Sequence, residues 1–337
     1  MIRRGSWVRR YTGNVGLDRI HLLIAIAGPT GSGKSDLALA LARELGGEIV
    51  NCDSLQLYRR MDIGTAKTPA AERDGVAHHL MDLLEPDQVF NAGDYAALAR
   101  PLLRQIAERG AVPIVAGGTG FYLRALLDGL AEGPKRDDAL RQDLDRREKA
   151  RPGALHRILS RLDGAVAHRI HPNDHNKLIR AIEICRLARR PATDVFSQGR
   201  APLEGFHVLK IVLNPPRAAL HARIAVRSRA MFEAGLVEEV RDLLHSGVPK
   251  DAKAFESIGY KQALEVINGT LTRDRAIELT TIATRQYAKR QCTWFRQEHN
   301  VNWISGFGGE AEVSTVARGL VHHARGVIDS YYTTSRL

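Results

Sequence analysis

The residues best suited to chemistry lie in "GPTGSGKS", Gly28 to Ser35, and in "NCDSLQLYRRMDIG", which begins at position 51. The first run satisfies G-x-x-x-x-G-K-[ST] in full and sits between a candidate strand and a candidate helix, as a phosphate-binding loop must. Gly28, Gly31 and Gly33 let backbone N–H groups wrap phosphate oxygens, with Pro29, Thr30 and Ser32 completing the turn. The helix N-terminus adds its dipole, Lys34 adds a point charge, and the Ser35 hydroxyl is a ligand for Mg²⁺. This pattern specifies a diphosphate or triphosphate, not a nucleotide. Asp53 ends the next apolar run, and the carboxyl ends of parallel strands share one crevice. A carboxylate there can hold a metal, contact a sugar or accept a proton; capping a following helix is the plain structural alternative. Ser54 and Gln56 bring hydrogen-bonding groups beside it, and Gln56 can pair with an adenine edge.

An absence narrows the chemistry. NTPases of this type end a later strand with an acid that serves the metal. Here "VPIVA" ends instead in "GGTG", Gly117 to Gly120, with the Thr119 hydroxyl at the same edge or capping the next helix. The site is equipped to hold a diphosphate and a neighbouring reactive group, without the parts of a hydrolytic switch.

The elements that must position these residues follow from hydrophobic period. "HLLIAIAG" (21–28) leads into "KSDLALALARELGG", whose Leu37, Ala38, Leu41, Ala42 and Leu45 recur at helical spacing. Further strands are expected at 47–53, 78–84, 112–118, 207–214 and 301–305, with a helix at about 92–109. Strand–helix alternation with near-continuous apolar strands implies an α/β fold: a P-loop NTPase-like parallel sheet with helices on both faces. The alternation breaks at 131–200, where no strand signal remains and basic residues exceed acids; this reads as an all-helical insertion domain. Long helices return from about 218 to 297. The core is then 21–130 with 201–305, flanked by a basic tail (1–20) and a C-terminal tail (306–337).

The 337 residues carry a formal net charge of +11, with 44% hydrophobic and 26% charged, an ordinary globular composition with a basic bias toward a polyanionic partner. The three cysteines, Cys52, Cys185 and Cys292, are far apart and form no C-x-x-C, so a disulfide framework or zinc finger is not expected. No apolar run approaches the roughly 18 residues of a membrane span. The basic N-terminus runs straight into the phosphate loop, so a signal peptide is not expected and a cytoplasmic location is. In "HPNDH", His171 and His175 are four apart, but Pro172 interrupts the helix and no third ligand is near, so no metal site is expected there.

At these residues the chain resembles the bacterial tRNA dimethylallyltransferases, also called tRNA isopentenyltransferases. The resemblance covers about residues 21–300 in order: "GPTGSGKS", "DSLQLYRRMDIGTAK", "HHLMD", "VPIVAGGTGFYLRALL", "RIHPNDHNKLIRAIE", "RSRAMFEAGLVEEV", "FESIGYKQAL" and "TRQYAKRQCTWFRQ". It implies transfer of a dimethylallyl group from dimethylallyl diphosphate, with Mg²⁺, to the exocyclic amine of the adenosine 3′ of the tRNA anticodon, releasing pyrophosphate. The phosphate loop would hold the donor's diphosphate. Asp53 matches the general base and Thr119 a threonine at the reaction centre. Lys34 would stabilise charge on the leaving pyrophosphate, and Arg223 or Arg227 would add a diphosphate contact. "DSLQ" (Asp53, Ser54, Leu55, Gln56), "NKLIR" (Asn176, Lys177, Leu178, Ile179, Arg180) and "KRQCTWFR" match segments that touch the tRNA anticodon stem-loop. In the last, Lys289, Arg290 and Arg296 suit phosphates, Gln291 and Thr293 can hydrogen-bond, and Trp294 can stack, while Phe295 reads as core. The target adenine would flip into a channel. The chain departs from the family's usual Gln-Arg at Asn176-Lys177 and its usual Leu at Ile182; lysine keeps the charge but not the bidentate fork. By the same resemblance a monomer is expected; eukaryotic relatives carry a C-terminal zinc finger, which three scattered cysteines lead us not to expect here.

Three other functions share parts of this pattern. A P-loop kinase of a small molecule or nucleoside explains the phosphate site but not the basic insertion. An isopentenyltransferase of free adenine nucleotides shares the chemistry but not the RNA. An RNA-binding protein gated by nucleotide predicts tight RNA binding that ignores replacement of Asp53.

Overall fold

The computed structural model describes residues 20–197 and 199–334. Most of the expected basic tail therefore lies outside the described residues, as do 335–337. Six parallel strands form one sheet: β1 (His21–Ala27), β2 (Gly47–Asn51), β3 (His78–His79), β4 (Val112–Ala116), β5 (Phe206–Leu213) and β6 (Val301–Ile304). Their order is β3-β2-β4-β1-β5-β6, with Ile24 of β1 in register with Ile114 on one side and Leu209 on the other. Apolar residues on both faces of β1 explain its near-continuous hydrophobic sequence.

The helices in chain order are α1 (Lys34–Leu45), α2 (Ala92–Glu108), α3 (Gly120–Asp128), α4 (Asp138–Ala150), α5 (Ala154–Leu162), α6 (Gly164–Arg169), α7 (His175–Ala188), α8 (Ala192–Ser197), α9 (Arg217–Glu233), α10 (Leu236–His245), α11 (Tyr260–Ile267), α12 (Arg273–Phe295) and α13 (Ala311–Thr334). Ile24, Ile26, Ile114 and Ile211 pack against Leu37 and Leu41 of α1 and against Val313, Ala317 and Val321 of α13. On the opposite face Ala27 and Val212 meet Phe295 of α12. The α2 start is fixed by a capping box, in which the Asn91 side chain accepts from the Asp94 amide and Asp94 accepts in return.

Two expectations need correction. The stretch 306–337, read as a tail, contributes the 24-residue α13, whose Val313, Ala317, Val321 and Ala324 are buried in the sheet's core. Their spacing of four, four and three makes a helical stripe that the sheet face covers. The strand expected at 78–84 stops after two residues, because Leu80 and Asp82 take left-handed backbone conformations (φ 56° and 54°) that no strand accommodates.

The chain divides into two compact units, Leu127–Leu203 and the remainder. The Leu127–Leu203 unit is all helical and contains the expected insertion, 131–200. It has its own core of Leu144, Leu155, Leu159, Leu178, Ile182 and Ile184. Glu183 lies fully buried beside that core and accepts from both nitrogens of an Arg141 fork at 2.8 Å, from the Asp137 amide at 2.8 Å and from Arg180 at 2.5 Å.

Candidate active site

The phosphate loop forms where β1 ends and α1 begins. Thr30, Gly31, Gly33, Lys34 and Ser35 line a cleft of about 350 Å³, backed by the buried Gly28, Pro29 and Ser32. Asp53, Gln56, Arg223 and Arg227 line the same cleft, as do Thr65 and Lys67 from the "DIGTAK" run. Strand ends thus bring the anion-binding loop and the strand-end carboxylate Asp53 into one space, as the sheet topology requires.

Charge in the cleft is finely set. Burial pushes the Lys34 ammonium down to about 8, against the attraction of Asp53 and with added repulsion from Arg227. Its Nζ donates to the Pro29 carbonyl at 2.9 Å. Burial also lowers Arg227, which Asp53 opposes. A site with two cations in a shielded space holds an anion more strongly than either would in water. The two arginines differ in setting: Arg223 is exposed and lies 3.5 Å from Asp36, whereas Arg227 is half-buried within electrostatic reach of Lys34 and Asp53.

Asp53 does not cap a helix. Its Oδ1 accepts from the Leu55 amide at 2.9 Å, an Asx turn, and its own amide donates to Asn51 Oδ1 at 3.0 Å. Asp53 Oδ2 takes no hydrogen bond from the described residues, so the turn fixes the carboxylate while one oxygen stays available to the cleft. The Thr119 hydroxyl oxygen accepts from the Ser54 amide at 3.1 Å, and the Thr119 amide donates to the Cys52 carbonyl at 3.2 Å, which locks the ends of β2 and β4 together. Gln56 Nε2 donates to the Thr65 carbonyl at 3.2 Å.

Several residues expected to contact RNA have other partners. Leu178 and Ile179 are buried in the helical unit's core, and Arg180 is held by Glu183 and the Pro134 carbonyl. Asn176 and Lys177 are exposed, with Lys177 paired to Asp174 at 2.6 Å. Ile182 occupies a core position, where a change from Leu alters packing rather than any contact. Leu55 is partly buried against the α10–α11 core. Gln291 is buried: its Oε1 accepts from the Thr30 amide at 2.8 Å and its Nε2 donates to the Gly118 carbonyl at 2.9 Å. It is a strut between the phosphate loop and the β4 turn, and it lines the same cleft as Lys34 and Asp53.

Trp294 is likewise engaged. Arg124 lies 4.2 Å from its ring centroid, Phe121 meets it edge-on at 6.3 Å, and a Cβ on Gly120 would lie 2.2 Å from it. The ring is partly buried, and Arg124 covers it. Phe295 is core, as its sequence setting implied. Lys289, Arg290, Thr293 and Arg296 are exposed.

The sequence reading assigned nothing to Tyr287 or Lys67. Tyr287 lies beside Thr119 and Gln291, and burial together with Asp53 raises its hydroxyl to about 12. Its position one helical turn before Gln291 was the available signal. Lys67 is buried and satisfied by Asp62 and Asp82, each at 2.6 Å, and by the Tyr58 carbonyl at 2.7 Å.

Comparison with known proteins gives this geometry a family. A family model described as IPP transferase matches residues 56–298. A tRNA dimethylallyltransferase of Solibacter usitatus is 54% identical over 295 residues, 88% of this chain and 96% of that protein. One of Koribacter versatilis is 54% identical over 293 residues, 87% and 95% of the two chains. Among solved structures, the full-length tRNA isopentenylpyrophosphate transferase of Bacillus halodurans matches with a TM-score of 0.66 at 36% identity, over 91% of this chain and 99% of that one. A eukaryotic dimethylallyltransferase, solved in crystallographic snapshots of its action on tRNA, gives 0.74 at 28% identity, over 85% and 74%.

Proposed function

The chain belongs to the IPP transferase family, and from that premise we propose that it transfers the dimethylallyl group of dimethylallyl diphosphate to a tRNA. The acceptor is the exocyclic N6 amine of the adenosine 3′ of the anticodon. The observation that carries this reading is the convergence of Lys34, Arg227 and Asp53 on one cleft, anion-binding groups beside one available carboxylate oxygen.

The bond from the donor's C1 to its bridging oxygen breaks, the N6–C1 bond forms, and pyrophosphate leaves. Asp53 takes the amine's proton, held in place by its Asx turn. Lys34 and Arg227 offset the charge that grows on the departing diphosphate, and the backbone amides of the phosphate loop share it. Thr119, tied to Ser54 and Cys52, fixes the segment that carries Asp53. No group of three or more His, Cys, Asp or Glu that could hold a metal gathers among the described residues. The Ser35 hydroxyl and the Asp36 and Asp53 carboxylates that line the cleft are hard oxygen donors, which fit Mg²⁺, an ion that keeps several waters and is bound through one or two protein groups plus substrate phosphates. Ser35 would hold it, with Asp36 and Asp53 in the same cleft, and the ion would supply charge neutralisation at the diphosphate.

The tRNA would rest on Ser54 and Gln56 at the cleft and on the exposed Asn176, Lys177, Lys289, Arg290, Thr293 and Arg296. No described helix is long and apolar enough to cross a membrane; a cytoplasmic monomer is the proposed working form, testable by sedimentation of the purified protein.

The deciding experiment is transfer from radiolabelled dimethylallyl diphosphate with Mg²⁺ and unmodified tRNA, for wild type and Asp53→Ala. Label enters tRNA with wild type and falls at least about a hundredfold in the variant. Label only in free adenine nucleotides, or ATP consumption without label, overturns the tRNA transferase reading. Equal labelling by both proteins returns Asp53 to its turn-forming role alone.

A further inference from the structure

We propose that the loop between β6 and α13, residues 305–310, is a positioning element of the donor site: Gly308 sets the orientation of a peptide plane in the phosphate loop, and Phe307 sets the placement of Arg223. This rests on the donor-site reading above and extends it to residues beyond the 56–298 span matched by the family.

The Gly308 amide donates to the Ser32 carbonyl at 2.9 Å. That carbonyl and the Gly33 N–H belong to one trans peptide unit, so they point in opposite directions. Holding the carbonyl on the loop's outer side therefore aims the Gly33 N–H toward the anion side, where Gly33 lines the cleft. The contact is as close as two backbones allow. A Cβ on Gly33 would lie 2.7 Å from the Gly308 nitrogen, and one on Gly308 would lie 1.9 Å from the Gly33 oxygen. Gly33 has φ 82° at the N-cap of α1, a conformation in which the Ser32–Gly33 plane has no side chain to steady it, so the outside hydrogen bond supplies the restraint.

Phe307 does the second task. It packs against Leu220, Ile224 and Ala288, joining α9 to α12, and the Arg223 guanidinium stacks 5.0 Å from its ring centroid. With Asp36 at 3.5 Å on its other side, Arg223 is held at the cleft's edge. An otherwise flexible side chain is thereby pre-placed for a phosphate, which spares rotamer entropy on binding.

The test compares Gly308→Ala, Phe307→Leu and Phe307→Tyr by steady-state kinetics, and by the rise in melting temperature on adding inorganic pyrophosphate with Mg²⁺. Gly308→Ala raises KM for dimethylallyl diphosphate about tenfold or more, because the displaced plane turns a donor away from the phosphates. Phe307→Leu raises it about two- to fivefold, and Phe307→Tyr restores it, since only the ring stacks on a guanidinium. KM for tRNA stays within about twofold throughout, and pyrophosphate stabilises the first two variants less than wild type. Equal pyrophosphate stabilisation in all four proteins, or KM rising alike for both substrates, overturns the proposal and leaves the loop a packing element. Should wild type gain nothing from either dimethylallyl diphosphate or pyrophosphate, it is the donor-site reading that fails.

Discussion

At the scale of single residues, the cleft is governed by one lysine whose charge is costly to keep. Lys34 titrates at about 8 in the folded protein against an ordinary value of 10.5. The transferase's kcat/KM for dimethylallyl diphosphate should therefore fall as pH rises through about 8, as the free protein loses its central cation. Bound diphosphate favours the ammonium, so the kcat profile breaks at higher pH, and Lys34→Met abolishes the break while lowering activity throughout. Stability moves the other way. Between about 8 and 10.5 the unfolded chain binds the proton that the folded chain has released, so unfolding free energy rises with pH across that window. Urea titrations at pH 7.5 and 9.5 test the sign. The meeting of Lys34 and Asp53 in one cleft was legible in sequence because a phosphate loop and a strand-end acid impose a spacing. The partners of Gln291 and Trp294 within the protein were not: a polar or aromatic side chain on a helix does not announce which neighbour it meets. Leu178 and Ile179 show the converse error, since a motif carried over as a block includes the helix positions that face its own core.

At the scale of elements, α7 is organised around one buried acid. Burial alone would raise the Glu183 carboxyl, but its bonds to Arg141, the Asp137 amide and Arg180 outweigh that and hold it at about 2. A depressed carboxylate stabilises the fold above its unfolded value, and that stability is lost as pH falls from about 4.5 toward 2. Glu183→Gln leaves two guanidinium groups without their anion and should cost on the order of 2–3 kcal/mol, since both arginines are partly solvated. Unfolding in urea checks this; donor binding, measured by thermal shift with pyrophosphate, should persist at temperatures where the helical unit is still folded. No periodicity announced this hub, because a glutamate inside a charged helix is normally solvated. Little signal ended β3 early: left-handed Leu80 is imposed by tertiary structure, and Asp82, a type that tolerates that conformation, was the one cue in the run.

At the scale of the whole molecule, a net charge of +11 sets the balance between the two substrates. Affinity for tRNA should fall steeply with salt, by a log–log slope of about −0.7 to −0.9 for each phosphate neutralised, while KM for the small donor moves far less. Filter binding against KCl concentration measures the slope, and a flat response would remove the exposed lysines and arginines from the RNA interface. The sheet was legible because buried parallel strands write themselves as apolar runs; α13 was not, because its stripe is weak in sequence and its partner face is assembled from strands as remote as β1, nearly 290 residues earlier in the chain. That remoteness has a consequence for how the protein is made. The central strand β1 ends at Ala27, and its neighbour β5 begins at Phe206. At about 5–20 residues per second, on the order of 10–40 s of translation separates the two. For that interval "HLLIAIA" has an open hydrogen-bonding edge of the kind that seeds aggregation. The helical unit, made within the interval and equipped with its own core, can fold while β1 waits. The vulnerable form of this enzyme is thus the nascent one on the ribosome, and a chaperone that shields a short apolar strand should raise the yield of active protein without touching its final stability.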